Sequence, residues 1–253
     1  MKSIYIRGGD AKEPGVLVLK EHLENKGHRV VRRKDGQDYD VVVCWGASMR
    51  DPLVKRVPAL NGHVNSFDKY AALDRFVKAG IRTPEFFSVE RGMHHEYNDP
   101  FPWFARKFHH EKGNDIRVCR TRKDVERVFE NRSHDFFSVY IPHDQELRAW
   151  VYKNKVFAVY HKQYRVHDVE NYKRMEFRSE LRDDLLNERA LIAPATNAVE
   201  ALRMDFGAVD ILHGEDGKYY VLEVNSMPDI SSTIRVSGIR LANIISDWAQ
   251  AQR

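Results

Sequence analysis

Two carboxylates and one amide, Asp210, Glu223 and Asn225, stand in a stretch whose spacing can gather them. Two runs rich in β-branched and aromatic residues flank Gly214-Glu215-Asp216-Gly217, a hairpin signal. With the turn centred between Glu215 and Asp216, Asp210 lies opposite Val221. Glu223 is then its diagonal neighbour on the same face, because side chains alternate with period two. Asn225 follows on that face, and Val209, Ile211, Leu222 and Val224 form the core side. Three hard oxygen ligands with no His or Cys suit Mg²⁺, which keeps several waters and bridges to substrate phosphates. The plainer alternative is a half-buried hairpin with a polar outer face. A register slip of one residue would part Asp210 from Glu223.

Composition bounds what such a hairpin could serve. At 253 residues, 42% hydrophobic and 31% charged, the sequence is that of a globular protein with a substantial core, in one large domain or two to three lobes. A net charge of +4 suits an anionic ligand such as a nucleotide, or weak nucleic-acid affinity, and does not choose between them. No interleaving of aromatic and basic residues supports nucleic acid as a partner. Cys44 and Cys119 sit in apolar strand-like runs, without zinc spacing or a disulfide framework, which points to the cytoplasm. The start of the chain is too poor in apolar residues for a signal peptide, and no apolar run approaches the ~20 residues of a membrane span.

Residues 1–65 read as a small α/β unit. Ser3 to Arg7 alternates as a strand, and Val16 to Lys26 carries Leu17, Leu19 and Leu23 on a helix that stops at Gly27. Arg29 to Val31 and Asp40 to Trp45 are further strands, an order that predicts a doubly wound sheet. Gly8-Gly9 lacks the spacing of a dinucleotide fingerprint and reads as a plain loop. Arg29, Arg32, Arg33 and Lys34 read as a solvated basic edge. Ser66 is placed to cap a helix with an apolar face of Tyr70, Leu73 and Val77, stopped by Gly80 before Pro84. Pro102 to His109 is a strand entering a charged loop, Ile116 to Cys119 returns, and Thr121 caps a short helix bearing Val125, Val128 and Phe129. His94-His95 and His109-His110 are adjacent pairs, which strand alternation turns to opposite faces, against a metal reading. Asp135 to Pro142 is an apolar strand, and 146–152 and 156–162 are two more. Asn187 to Met204 reads as a helix lined by Leu191, Ala195, Ala198 and Leu202. A last helix carries Leu241, Ile244, Ile245 and Trp248.

In this order the stretches resemble the ATP-grasp superfamily, in which an Asp on one strand and Glu-x-Asn on the next hold a pair of Mg²⁺ ions on ATP. Asp210, Glu223 and Asn225 match that hairpin, and Ser226-Met227-Pro228 resembles its continuation. Glu176-Phe177-Arg178-Ser179-Glu180-Leu181 looks like the Glu-Phe-Arg-Ser-Asn-Leu motif of the ribosomal-protein α-L-glutamate ligases, one branch of the superfamily. The resemblance implies an α/β protein with an ATP-grasp fold of α+β lobes. A Rossmann-like lead-in domain would span 1–65, a small lobe 66–135 and a large lobe 136–253. It implies that Lys69, Lys107 and Lys162 contact the nucleotide phosphates, with Mg²⁺, or Mn²⁺ in its place, on Asp210, Glu223 and Asn225. Tyr140 and Ile141 would bond adenine through their backbone, Asp144 would take the ribose hydroxyls, and Arg178 would face the transferring phosphoryl group. Glu146-Leu147-Arg148 is similar to the family's Asp-x-Arg, with Glu replacing Asp.

The sequence also departs from the pattern. The phosphate-covering loop has one glycine, Gly113. Ser138 and Val139 stand where the family commonly has a Glu near the hinge, and Asp183-Asp184 replaces a glycine pair that helps shape the acceptor site. The implied activity is ATP-dependent ligation of a carboxylate to an amine through an acyl phosphate, which needs no Ser-His or Cys nucleophile. Carboxylate and amine could be small molecules or a peptide or protein tail. A phosphotransferase on the same fold and a nucleotide-binding module that has lost catalysis remain the alternatives at this level, and the oligomeric state is not legible.

Overall fold

The computed structural model describes residues 1–9, 13–31, 38–46, 57–62, 68–92, 101–108, 116–164, 177–228, 230 and 235–252. Its first sheet is parallel, in the order β2-β1-β3-β4, from β1 (Ser3–Arg7), β2 (Arg29–Val31), β3 (Val41–Cys44) and β4 (Ala59–Leu60). β3 is buried at all four positions, as a parallel strand covered on both faces should be. Val41 and Val43 face a core that includes Leu19 and Leu23, while Val42 and Cys44 face Tyr5 and Val31. α1 (Pro14–Asn25) makes the crossover, with Pro14 in its first turn, where the missing N–H costs no hydrogen bond. Of the expected basic edge, Arg32, Arg33 and Lys34 lie outside the described residues.

The second sheet is antiparallel, in the order β5-β8-β6-β7, built from β5 (Phe86–Ser88), β6 (Trp103–Arg106), β7 (Arg117–Cys119) and β8 (Phe136–Val139). α2 (Lys69–Lys78) leads into it, and α3 (Val89–Gly92) and α4 (Arg122–Glu130) accompany it. The cap of α2 is Asp68, whose carboxylate accepts the Ala71 N–H at 2.7 Å, and not Ser66, which lies outside the described residues. Its buried face is Ala72, Leu73 and Phe76, while the expected Val77 is exposed. α4 begins as expected at Thr121, in a capping box with Asp124. Because β8 pairs with β5 and β6, this sheet extends to Val139, past the boundary expected at 135.

The third sheet is also antiparallel, in the order β11-β10-β9-β12-β13. Its strands are β9 (His143–Tyr152), β10 (Lys155–Tyr164), β11 (Phe177–Leu181), β12 (Phe206–Gly214) and β13 (Tyr219–Asn225). α5 (Arg189–Ala201), preceded by a 3₁₀ turn at Asp183–Asn187, covers one face. Leu191, Ala195 and Val199 pack there with Leu147, Ala149, Val159, Val209 and Ile211. The other face carries Trp150, Tyr160, Phe206 and Ala208. These join Ile4, Ile6 and Val16 of the first unit and Leu241 and Ile245 of α6 (Arg235–Ala251) in one core. Among the described residues no helix is long and apolar enough to cross a membrane.

Asn61 fixes the first unit to the third sheet. It is 1% exposed and adopts φ +53, a left-handed conformation that Asn tolerates better than most residues. Its side-chain Oδ1 accepts the N–H groups of Asp205 and Phe206 at 2.8 and 3.1 Å, and Nδ2 donates to the Phe206 carbonyl at 3.0 Å. Its own N–H donates to Asp205 Oδ2 at 2.6 Å. Asn61→Gly keeps the backbone conformation and its own N–H bond but orphans the Asp205 and Phe206 groups that the side chain held, so it should lower unfolding stability by about 2–4 kcal/mol in urea titrations. A loss below about 0.5 kcal/mol would mean the clamp is not a source of stability.

Candidate functional site

The β12–β13 hairpin turns through Glu215-Asp216-Gly217, with Gly217 at φ +74. Its ladder is irregular. Ile211 lies opposite Val221, but Asp210 lies opposite Glu223, which makes Leu222 the extra residue of a bulge on β13. The bulge changes the phase of the alternation. Val221 packs into the core with Val209 and Ile211, yet Glu223, two residues on, stands beside Asp210 on the other face. In a regular strand Val221 and Glu223 would share a face. The expected diagonal pair is therefore a direct one, and Val221, not Leu222, belongs to the core side.

On its other flank Asp210 lies opposite Arg148 of β9. Arg148 Nε and Nη2 donate to Asp210 Oδ1 and Oδ2 at 2.7 and 2.8 Å, a bidentate pair. Lys162 Nζ, from β10, is 2.7 Å from Asp210 Oδ2 and 2.7 Å from Glu146 Oε1. The Lys162 side chain is 1% exposed and those of Glu146 and Asp210 are 5% and 6%, so these charges are held away from water. Lys69 Nζ, at the start of α2, donates to Glu223 Oε2 at 2.6 Å, and Asn225 Nδ2 donates to Glu223 Oε1 at 3.2 Å. Among the described residues, three carboxylates thus face three cations.

The ionisation follows from this arrangement. Burial opposes the charged form of Asp210, but Arg148 and Lys162 outweigh it and hold the carboxyl well below the usual range. For Glu223, burial is again the largest influence and raises the pKa; Lys69 prevails, against the added repulsion of Asp210, and the net shift is downward. Burial likewise works against the Arg148 cation, and Asp210 more than offsets it, keeping the guanidinium firmly protonated.

Among the described residues no group of three or more His, Cys, Asp or Glu side chains forms a metal-holding cluster. The donor set on this face is two carboxylates and an amide oxygen. It fits a hard cation that takes its remaining ligands from water and phosphate, as Mg²⁺ does, and does not fit a fully protein-caged ion.

The other expected site residues divide. Lys107 follows β6 and is half-buried, and the next residue, Phe108, accepts the Lys69 backbone N–H on its carbonyl at 3.3 Å. The second-sheet end bearing Lys107 therefore meets the helix bearing Lys69. The loop at 109–115 lies outside the described residues, as do His94 and His95. Tyr140 and Ile141 link β8 to β9 and so join the second sheet to the third. The Tyr140 N–H donates to the Pro102 carbonyl at 3.1 Å, and His143 Nδ1 bonds the Ile141 carbonyl at 2.7 Å. Burial, with the Glu215 charge adding to it, pushes the Tyr140 phenol up. Asp144 is exposed and lies 2.8 Å from His213 Nδ1.

Arg178 is not brought to the cluster. Lys162 lies opposite Ser179, whereas Arg178 lies opposite Gln163, so parity sends Arg178 to the other side of the sheet. It is exposed there, on the side where Gln163 bonds Glu180 at 2.7 Å. The expected Arg178 thus lies on the opposite side of the sheet from Lys162 and Asp210. Conversely, the bidentate role of Arg148 and the contact of Glu146 with Lys162 were not anticipated. The signal was present in Glu146-Leu147-Arg148: charges at alternate positions of a strand that otherwise buries Leu147, Ala149, Trp150 and Val151 must find partners.

Residues 67–249 match the RimK-like ATP-grasp domain family. Among solved structures, the ATP-grasp ligase PsnB complexed with minimal precursor is similar over 100% of both chains, with a TM-score of 0.72 and 16% identity. A RimK domain ATP-grasp protein from Sphaerobacter thermophilus covers 98% of this chain and 100% of its own, with a TM-score of 0.65 and 16% identity. D-alanine–D-alanine ligase from Bacillus anthracis, complexed with ATP, covers 100% of this chain and 96% of its own, again with a TM-score of 0.65 and 16% identity. No curated protein matches the chain in sequence.

The lowered values of Asp210 and Glu223 fix a sign. Both folded values lie below the unfolded ones, near pH 4, so their stabilisation is full above about pH 5 and is lost as pH falls toward the folded values. Unfolding free energy measured by urea titration between pH 6 and pH 2.5 should therefore fall with acid, and Asp210→Asn should flatten that fall. An unchanged slope in the variant would contradict the ion-paired Asp210.

Proposed function

This chain belongs to the RimK-like ATP-grasp family, and on that premise we propose that it is an ATP-dependent carboxylate–amine ligase. The observation that carries the reading is the direct opposition of Asp210 and Glu223, with Asn225 beside them, at the junction of α2 and the third sheet. Asp210, Glu223 and Asn225 would hold Mg²⁺, one ion or two, with Mn²⁺ as a substitute. The ion would supply charge neutralisation on the β- and γ-phosphates.

Lys69 and Lys162 stand at the carboxylates and would share their charge with an arriving polyphosphate. Lys107, next to the Phe108–Lys69 backbone bond, would contact the same phosphates from the second sheet. Tyr140 and Ile141, between the two sheets, would border the adenine and Asp144 the ribose. In the reaction a substrate carboxylate oxygen takes the γ-phosphoryl group and ADP leaves. An amine nitrogen then bonds the acyl carbon, phosphate departs, and the nitrogen gives up a proton. Preorganised charge accounts for the catalysis, with no protein nucleophile. PsnB in its solved structures holds a precursor peptide, which supports a peptide or protein tail as one acceptor class; a small molecule is the other.

The test is ADP release with candidate carboxylates, with and without amines, and with hydroxylamine to trap an acyl phosphate as hydroxamate. A ligase gives Mg²⁺-dependent hydroxamate and an amide product. Glu223→Ala should lower turnover by about 10²–10³-fold or more while leaving the fold intact. Full activity in that variant would overturn the site. Phosphorylation of a hydroxyl substrate without hydroxamate would identify a phosphotransferase instead. Nucleotide binding without any turnover would identify a module that has lost catalysis.

A further inference from the structure

Glu146 is the one carboxylate of the cluster that the reading above leaves without a task. It lies directly across from Lys162 in the β9–β10 ladder, and its Oε1 is 2.7 Å from Lys162 Nζ. The same ammonium is 2.7 Å from Asp210 Oδ2, so one nearly inaccessible cation is shared between a metal-type carboxylate and a second carboxylate on the neighbouring strand. A divalent cation that binds Asp210 Oδ2 must compete with Lys162, beside the Arg148 Nη2 bond to the same oxygen. A buried ammonium that gives up one carboxylate is held at less cost when it keeps another.

We propose that Glu146 is a positioning residue that retains Lys162 when a metal ion takes Asp210, so that metal and nucleotide enter together. The inference rests on the nucleotide-site reading of the preceding section. With Glu146 present, Lys162 would exchange Asp210 for a phosphate while keeping a carboxylate. Without it, the cluster is one charge more positive than in the wild type before any ligand arrives. That difference favours a bare polyphosphate and disfavours the metal.

The experiment measures ADP affinity by calorimetry, with Mg²⁺ and with chelator, for four proteins: wild type, Glu146→Gln, Glu146→Asp, and Glu146→Gln combined with Lys162→Met. Wild type should bind ADP more tightly with Mg²⁺. In Glu146→Gln, metal-free ADP should bind more tightly than in wild type and the Mg²⁺ enhancement should shrink by about tenfold, the size of one charge-assisted hydrogen bond. Glu146→Asp, which keeps the charge, should recover most of the enhancement. In the double variant no ammonium competes for Asp210, so the enhancement should return. This variant also removes both charges of the pair, so it serves where the single variant fails to fold. An unchanged enhancement in Glu146→Gln, or a double variant that shows no recovery, overturns the role of Glu146 alone. Absence of ADP binding in folded wild type, with or without Mg²⁺, overturns the nucleotide reading and this inference with it.

Discussion

Asp210 is held by an arginine on one side and a lysine beside it, and this buried contact sets the terms for everything around it. Arg148 occupies both carboxylate oxygens and Lys162 shares one of them. Isolated charges at such low exposure would cost several kcal/mol each. The chain offsets that cost by drawing partners from several strands and a helix: Arg148 and Glu146 from β9, Lys162 from β10, Asp210 from β12, Glu223 and Asn225 from β13, and Lys69 from α2. Removing one member strands another. The cluster therefore couples the third sheet to the helix that leads into the second sheet, at the place where two of the three sheets meet.

A single extra residue makes this geometry available. Without the bulge at Leu222, β13 could bury Val221 or present Glu223, but not both. With it, the apolar face continues under α5 while the acidic face opens toward Lys69. The first unit acts on the same hairpin from the far end. Asn61 ties Asp205 and Phe206, at the root of β12, to the end of β4, and Trp45 stacks on Phe206 at 5.9 Å. Position along β12 is thus fixed at both ends, which a site built on opposed carboxylates requires.

Much of this was legible in the sequence. The hairpin, its two carboxylates, the apolar strands and the Thr121 cap follow from period, turn chemistry and capping, which are local. The resemblance to ATP-grasp proteins also rested on ordered local motifs. What was not legible depends on neighbours distant in the chain. A bulge leaves no trace in composition, so the register read as diagonal where it is direct. The buried face of α2 came out one residue off, with Phe76 in place of Val77, because only the packing against Phe136 and α5 sets its rotation. The motif around Arg178 says nothing of the β10–β11 register, which decides the face it occupies. Arg148 could have been found by asking what an arginine in a buried strand must bond.

The central claim is that Asp210, Glu223 and Asn225 form a Mg²⁺-nucleotide site. Thermal unfolding of wild type and Glu223→Ala in ADP, with and without Mg²⁺, tests it most directly. A ligand that binds only the native state stabilises it by about 2.7 kcal/mol at a hundredfold excess over Kd. The account predicts a rise in Tm that needs Mg²⁺ in the wild type and is absent in the variant. No rise in the wild type at millimolar ADP, or an equal Mg²⁺-dependent rise in Glu223→Ala, would contradict it.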